Sequence, residues 1–341
     1  MSEIGPEKLF LFPRKLEAIL RADNFGVTDL SQPIVVELSF TNKCNLQCQW
    51  CSDASVRERN GGEMSTARLL GLLEDFKEFG VRGVTIEGGG EPTVHPGFVE
   101  VVRYAREIGL PVGLITNGVS RKVVEVADCF DWIRFSLDVS TDAEFAEMKA
   151  GGRTGLFGVV LDNIARVART GPVVGVSFVV TRHGSSDLLG VVVKLRDLGV
   201  NYVQLRSVID HDDMRGEHLV PIDGLKSLKS DVFDVMLSGL EQNGVCGNAG
   251  LPCSAHSLSA IVDGSGKVYL CGRLNVEDSW PPIGDLNDDT FMSIWLGEAR
   301  KHQANLVRHA DFCSENCPVC RMTKFNKLFH GARTSKTKNF L

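Results

Sequence analysis

A chain of 341 residues, 43% apolar and 23% charged, is long enough for one large α/β domain plus a smaller one and has the composition of an ordinary globular protein. A net charge of −6 gives no basis for nucleic-acid binding, no run is long enough to cross a membrane, and residues 1–7 lack the basic-then-apolar pattern of a secretion signal. The expectation is a cytoplasmic protein with neither nucleic-acid nor membrane partners, in which ten cysteines serve metal rather than disulfides.

Residues 1–33 read as an N-terminal extension with one helix near 14–22, too short for a separate peptide-binding domain. The β-branched stretch 34–40 reads as a buried strand, and the loop leaving it carries Cys44, Cys48 and Cys51 at C-x3-C-x2-C spacing. Three thiolates hold three irons of a [4Fe–4S] cube and leave the fourth open. A zinc knuckle would need one more ligand nearby, and the nearest histidine in sequence is His95.

From there to residue 206, strand patterns at 83–87, 112–116, 132–137, 173–181 and 202–205 alternate with amphipathic stretches, which predicts a parallel sheet of six strand–helix units. The first helix of the series opens at Ser65 or Thr66 and stops at Gly80; others cover about 98–108, 155–169 and 188–198. Polar residues collect at the strand ends: the turn Glu87-Gly88-Gly89-Gly90-Glu91, then Asn117, Ser136 and Arg182. Such positions at the mouth of a barrel read as ligand contacts. Gln204 and Arg206 alternate onto one face of the sixth strand, and with Asp210 in the loop beyond they are candidate substrate contacts.

The cysteine triplet, with Trp50 just before Cys51, resembles the signature of the radical S-adenosylmethionine (radical SAM) superfamily. That resemblance implies a partial (β/α)6 barrel over 34–220 and a cluster whose open iron is chelated by S-adenosylmethionine. It also implies reductive cleavage to a 5′-deoxyadenosyl radical that abstracts hydrogen from substrate, with a flavodoxin or ferredoxin-type electron donor. In the same light Gly89, Gly90 and Glu91 correspond to the family's GGE motif, which binds the methionine amine. Asn117 and Ser136 would touch the ribose or carboxylate, and Arg182 would pair with the carboxylate.

Residues 221–341 change character: a helix pattern from Ile222 through Leu240, a hairpin at 258–262 and 267–270 joined by Asp263-Gly264-Ser265-Gly266, and a helix around 291–307. Cys253 and Cys271 flank the hairpin, and Cys317 and Cys320 form a C-x2-C pair, so the four can close one tetrahedral set, as zinc or as iron–sulfur. This half resembles the SPASM/twitch auxiliary-cluster region of radical SAM enzymes, which implies a second [4Fe–4S] cluster on Cys253, Cys271, Cys317 and Cys320. Cys313 is an alternative to Cys317 in that set. Cys246 and Cys313 are also candidate hydrogen donors to a substrate radical, and the tail from Arg321 carries six basic residues and no acidic one.

The short C-terminal half and the lack of a peptide-recognition domain favour a small carbohydrate-type substrate, a sugar, aminocyclitol or nucleoside that is epimerised or dehydrogenated. Maturation of a ribosomal peptide is the alternative.

Overall fold

The computed structural model describes residues 6–24, 29–183, 186–209, 211–216, 220–238, 251–276, 280–309 and 320–335. The β-branched runs form the strands read from the sequence: β1 (Val35–Leu38), β2 (Gly83–Ile86), β3 (Val112–Thr116), β4 (Trp132–Ser136), β5 (Val173–Val180) and β6 (Tyr202–Ser207). They pair in parallel in chain order. Helices close the connections: α1 (Pro13–Asn24), then α2 (Ala54–Arg59) and α3 (Thr66–Phe79) after β1, α4 (Phe98–Glu107) after β2, and α5 (Lys122–Glu125) after β3. α6 (Asp142–Met148) and α7 (Leu156–Val167) follow β4, and α8 (Leu188–Asp197) follows β5. Ser65 caps α3 by accepting the Arg68 N–H, and Gly80, at φ 92°, ends it in the left-handed conformation that only glycine adopts without cost.

The partial barrel is extended at both edges into one ten-stranded sheet. Beyond β6, β7 (Asp234–Ser238) adds a further parallel strand. Here the structure corrects the expected helix from 222 to 240: α9 (Ile222–Lys226) is one short turn, and Ser230 N–H then donates to Phe233 O to turn the chain. The reason is periodicity, since Phe233 and Val235 are buried and Val232 is 77% exposed, a two-residue alternation that pairs with the free edge of β6. On the other side, β8 (Ser259–Val262) runs parallel to β1, followed by antiparallel β9 (Lys267–Tyr269) and β10 (Gly284–Asp285). The helix expected around 291–307 is two, α10 (Phe291–Leu296) and α11 (Glu298–Val307), broken where Gly297 turns extended. α12 (Thr323–Thr334) closes the described chain and packs Phe329 with Leu9 and Ile19 of the N-terminal extension.

Alternate strand residues divide the sheet into two faces. Val36, Leu38, Ile86, Leu114, Ile133, Phe135, Val203 and Leu205 are wholly buried in the main core. Glu37, Thr85, Arg134, Ser136, Gln204 and Arg206 alternate with them and stay partly accessible, on the concave side. At the start of that side a Cβ on Gly113 would fall 2.0 Å from the Trp132 indole, and one on Gly175 would fall 2.1 Å from the Tyr202 ring. Two aromatic rings therefore floor the barrel over two glycines, and the polar layer stands above them.

Candidate active site

The first cysteine loop leaves β1 and is held from behind by the end of α6. Gln47 N–H donates to Lys149 O at 2.8 Å and Gln49 N–H to Met148 O at 3.1 Å. Cys44 is exposed, while Cys48 and Cys51 are half-buried. Burial first, then the Asp138 charge, pushes the Cys48 thiol up to about 12, and burial with the Glu91 charge raises Cys44 as well. Without metal these two are protonated at neutral pH, so metal uptake releases protons. From α2, Arg57 donates to Cys51 Sγ at 2.9 Å and to Gly89 O at 3.0 Å, tying the third cysteine to the turn after β2.

The donor set fits an iron–sulfur cube with one open iron. Three thiols are present, and His95 is committed elsewhere: its Nε2 lies 2.7 Å from Met64 O and its Nδ1 accepts the Gly97 N–H at 3.1 Å. Among the described residues no three Cys, His, Asp or Glu side chains gather tightly enough for a single metal ion.

The turn after β2 packs directly on that loop, and its glycines are a matter of space. A Cβ on Gly90 would lie 2.1 Å from Lys43 O, and one on Gly89 would lie 2.7 Å from Asn42 Oδ1. Glu91 N–H donates to Lys43 O at 2.9 Å. The Glu91 carboxylate is 3% exposed and acts as a clasp between strand ends. Oε1 accepts from Thr93 N–H, Thr93 Oγ1 and Thr116 Oγ1, and Oε2 accepts the Asn117 N–H at 2.7 Å. Asn117 then donates through Nδ2 to Asn45 Oδ1 at 2.7 Å, returning to the cysteine loop. Cys44, Cys51, Gly89, Gly90, Glu91 and Asn117 are thus brought together.

Ser136 closes β4 beside a buried ion pair that the sequence reading missed. Lys149 Nζ lies 2.7 Å from Asp138 Oδ2, with the two side chains 1% and 6% exposed. It also donates to Ser136 O at 2.6 Å and Leu137 O at 3.0 Å. Asp138 sits at φ 63°, a strained position for a non-glycine residue, and accepts Val179 N–H at 2.9 Å. Arg182 is not gathered with the others; it is exposed and its Nε donates to His183 Nε2 at 3.0 Å. Asp210, Cys246, Cys313 and Cys317 lie outside the described residues.

Between the strands stands a charged layer. Arg134 Nη1 donates to Gln204 Oε1 at 3.0 Å, joining β4 to β6, and Arg321 pairs with Glu37 on β1. Burial first, then the Glu37 charge, pushes the Glu87 carboxyl up to about 8. Burial, with Arg134 and Arg321 nearby, lowers Arg206 to about 10, and the same arginine faces Asp53 at the cysteine loop. Gln204 and Arg206 therefore join this layer as the strand alternation predicts. Glu37, Arg134 and Arg321 were not singled out as contacts, though a charge inside a β-branched strand such as Val35–Leu38 is the signal that marks the first of them.

The second cysteine group lines a separate cavity bounded by Cys253, Cys271 and Cys320, with apolar walls from Leu270, Leu274, Val307 and Met322. Three thiols around an enclosed apolar space fit a second cluster. Because Val35 pairs with Ser259, and Ile261 with Tyr269, both Cys253 and Cys271 lie level with the start of β1. The first cysteine loop leaves the far end of that strand. Arg321, beside Cys320, spans the interval by reaching Glu37 in mid-strand. Asn326, wholly buried on α12, shapes the second group by accepting Ser254 and Ala255 N–H at 2.9 Å each and donating to Cys253 Sγ at 3.7 Å. His256 lines the same cavity, and burial first, then Arg300, Arg308 and Lys15, hold it well below its ordinary pKa, so it is neutral.

Comparison with known proteins agrees with both halves. Residues 38–205 match the radical SAM superfamily profile, and residues 253–321 match SPASM, an iron–sulfur cluster-binding domain. The mycofactocin maturase MftC of Mycobacterium tuberculosis (strain CDC 1551 / Oshkosh) is 29% identical over 86% of this chain and 80% of its own. A PqqA peptide cyclase of Rhodopseudomonas palustris is 41% identical over 29% of this chain and 24% of its own. Among solved structures, Streptococcus suis SuiB bound to its precursor peptide SuiA superposes with a TM-score of 0.66 at 12% identity, covering 100% of this chain and 81% of that one, a likeness of fold. Three thiols with no fourth ligand among the described residues, a glycine–glutamate turn packed on them and a second thiol-lined cavity on the extended sheet agree with the two profile matches, and the chain belongs to the radical SAM superfamily, with an auxiliary-cluster domain of the SPASM/twitch kind.

Proposed function

We propose that this enzyme modifies a residue of a ribosomally made peptide, in place of the carbohydrate-type metabolite expected from the sequence. The observation that carries this reading is the similarity to MftC along most of both chains, a protein named as a maturase, and the matches to PqqA peptide cyclases point the same way. Bound S-adenosylmethionine, cleaved by an electron from a flavodoxin or ferredoxin-type donor, supplies the hydrogen-abstracting chemistry. Cys44, Cys48 and Cys51 hold the cluster that binds it. Gly89, Gly90 and Glu91 would present the strand-end backbone to the methionine amine, and Asn117 and Ser136 would meet the ribose or carboxylate.

The chain's own part is to position the peptide. Arg134, Gln204, Arg206 and Glu37 present donors and acceptors above the aromatic floor, suited to a peptide backbone and a charged neighbouring side chain. Cys253, Cys271, Cys317 and Cys320 would hold the auxiliary cluster, which would supply an electron acceptor for an oxidative modification. The two tasks share one sheet, and the expected boundary at about 220 falls before β7, which still belongs to the barrel edge.

The test is to incubate reduced enzyme and S-adenosylmethionine with peptides encoded beside its gene and, in parallel, with sugars and aminocyclitols. A mass change in a peptide that requires both reductant and S-adenosylmethionine is expected. Conversion of a polyol with every peptide untouched would overturn the proposal.

A further inference from the structure

Among the described residues lining the auxiliary cavity, His256 is the one buried side chain whose hydrogen-bonding capacity goes unused. It is 5% exposed, and neither Nδ1 nor Nε2 has a hydrogen-bond partner. A buried imidazole with both nitrogens idle costs free energy unless a group absent from the polypeptide satisfies it. Its ring lines the cavity that Cys253, Cys271 and Cys320 share. Of the remaining wall, Ala255, Leu270, Leu274, Val307 and Met322 have no side-chain donor, Arg321 is engaged by Glu37, and Ser259, at the start of β8, is partly accessible rather than buried.

The ring is also held in place. Asn326 accepts the Ser254 and Ala255 N–H groups, fixing the short 3-10 turn Ala255–Ser257 on which His256 sits, and the same amide donates to Cys253 Sγ. One neutral donor is thus already aimed at a ligand sulfur from this wall. The nearby cations Lys15, Arg300 and Arg308 disfavour a charged ring, so His256 stays a neutral imidazole with one N–H to donate.

The geometry points to a hydrogen bond from the His256 imidazole N–H to a sulfur of the auxiliary cluster, which sets that cluster's reduction potential. Hydrogen bonds to sulfur stabilise the more negative, reduced state and raise the potential. His256 is a positioning and tuning residue, not a ligand, and its role holds whatever substrate the barrel takes.

The test uses the full chain carrying Cys44→Ala, Cys48→Ala and Cys51→Ala, so that the auxiliary cluster alone is observed. Anaerobic redox titration followed by electron paramagnetic resonance compares His256 with His256→Leu, which keeps the volume without the donor, and His256→Gln, which keeps an N–H. The expected result is a downward shift of the midpoint potential in His256→Leu and a smaller shift in His256→Gln, with iron unchanged at about four per chain. An unshifted potential in His256→Leu would overturn the inference, and so would loss of cluster iron in both variants, which would make the ring a ligand. Should His256→Leu not fold, the parent decides: hyperfine coupling from a labelled histidine nitrogen and an exchangeable proton is expected in the reduced cluster, and its absence refutes the hydrogen bond.

Discussion

Single residues at this site carry several connections at once. Glu91 ends four hydrogen bonds inside the protein, so Glu91→Ala strands buried donors at about 1–3 kcal/mol each. We expect it to lose several kcal/mol in urea unfolding and to weaken S-adenosylmethionine binding in equilibrium dialysis. Sequence reasoning found Glu91 by motif but could not show that its carboxylate also ties β2 to β3, because that depends on which strand lies next to which.

Glu87 has a different consequence. Burial and Glu37 raise its carboxyl from the usual 4.5 to about 8, so the fold prefers the protonated form. Its contribution to stability is complete below the unfolded carboxyl range and is lost as pH rises through about 8. Urea unfolding of the metal-free protein should show stability falling by up to about 1.4 kcal/mol per pH unit between about pH 5 and about pH 8 and levelling off above that. Glu87→Gln should flatten that slope; an equal slope in the variant would mean another group titrates.

At the scale of elements, the cysteine loop after β1 is shaped by a helix three strands further along the chain. Lys149, at the end of α6, pairs with buried Asp138, donates to the β4 carbonyls and offers its own carbonyl to Gln47 N–H. Lys149→Met leaves Asp138 buried without a counter-charge, at about 3–5 kcal/mol. Lower stability together with poorer iron uptake at the first cluster is the expected outcome of reconstitution followed by iron analysis. Full iron content would show that the loop does not depend on this staple. The strand–helix order was legible because each strand is a short β-branched run between amphipathic helices. The edge strand β7 was not: the stretch from Ile222 offers apolar residues at both spacings, and only the open edge of β6 selects the extended form.

The whole molecule is one sheet serving two cysteine groups, with β8 laid beside β1 and Arg321 reaching back to Glu37. The cofactors were legible, since cysteine spacing is local. The charged layer between the groups was legible only at Gln204 and Arg206, because Glu37, Arg134 and Arg321 meet them only through folding. Anaerobically prepared protein should hold about eight irons per chain, falling to about four in both Cys44→Ala and Cys271→Ala. Only Cys44→Ala should abolish 5′-deoxyadenosine formation with reductant. Full iron content in Cys271→Ala would remove that residue from the auxiliary set.

The central claim is that hydrogen is taken from a peptide held in this barrel. The most direct measurement supplies the reduced enzyme with S-adenosylmethionine and a precursor peptide deuterated at carbon, then determines the isotope content of the 5′-deoxyadenosine by mass spectrometry. Deuterium transferred from peptide to 5′-deoxyadenosine is the predicted result. Unlabelled 5′-deoxyadenosine from an unaltered peptide, across every deuterated residue of the precursor, would contradict it.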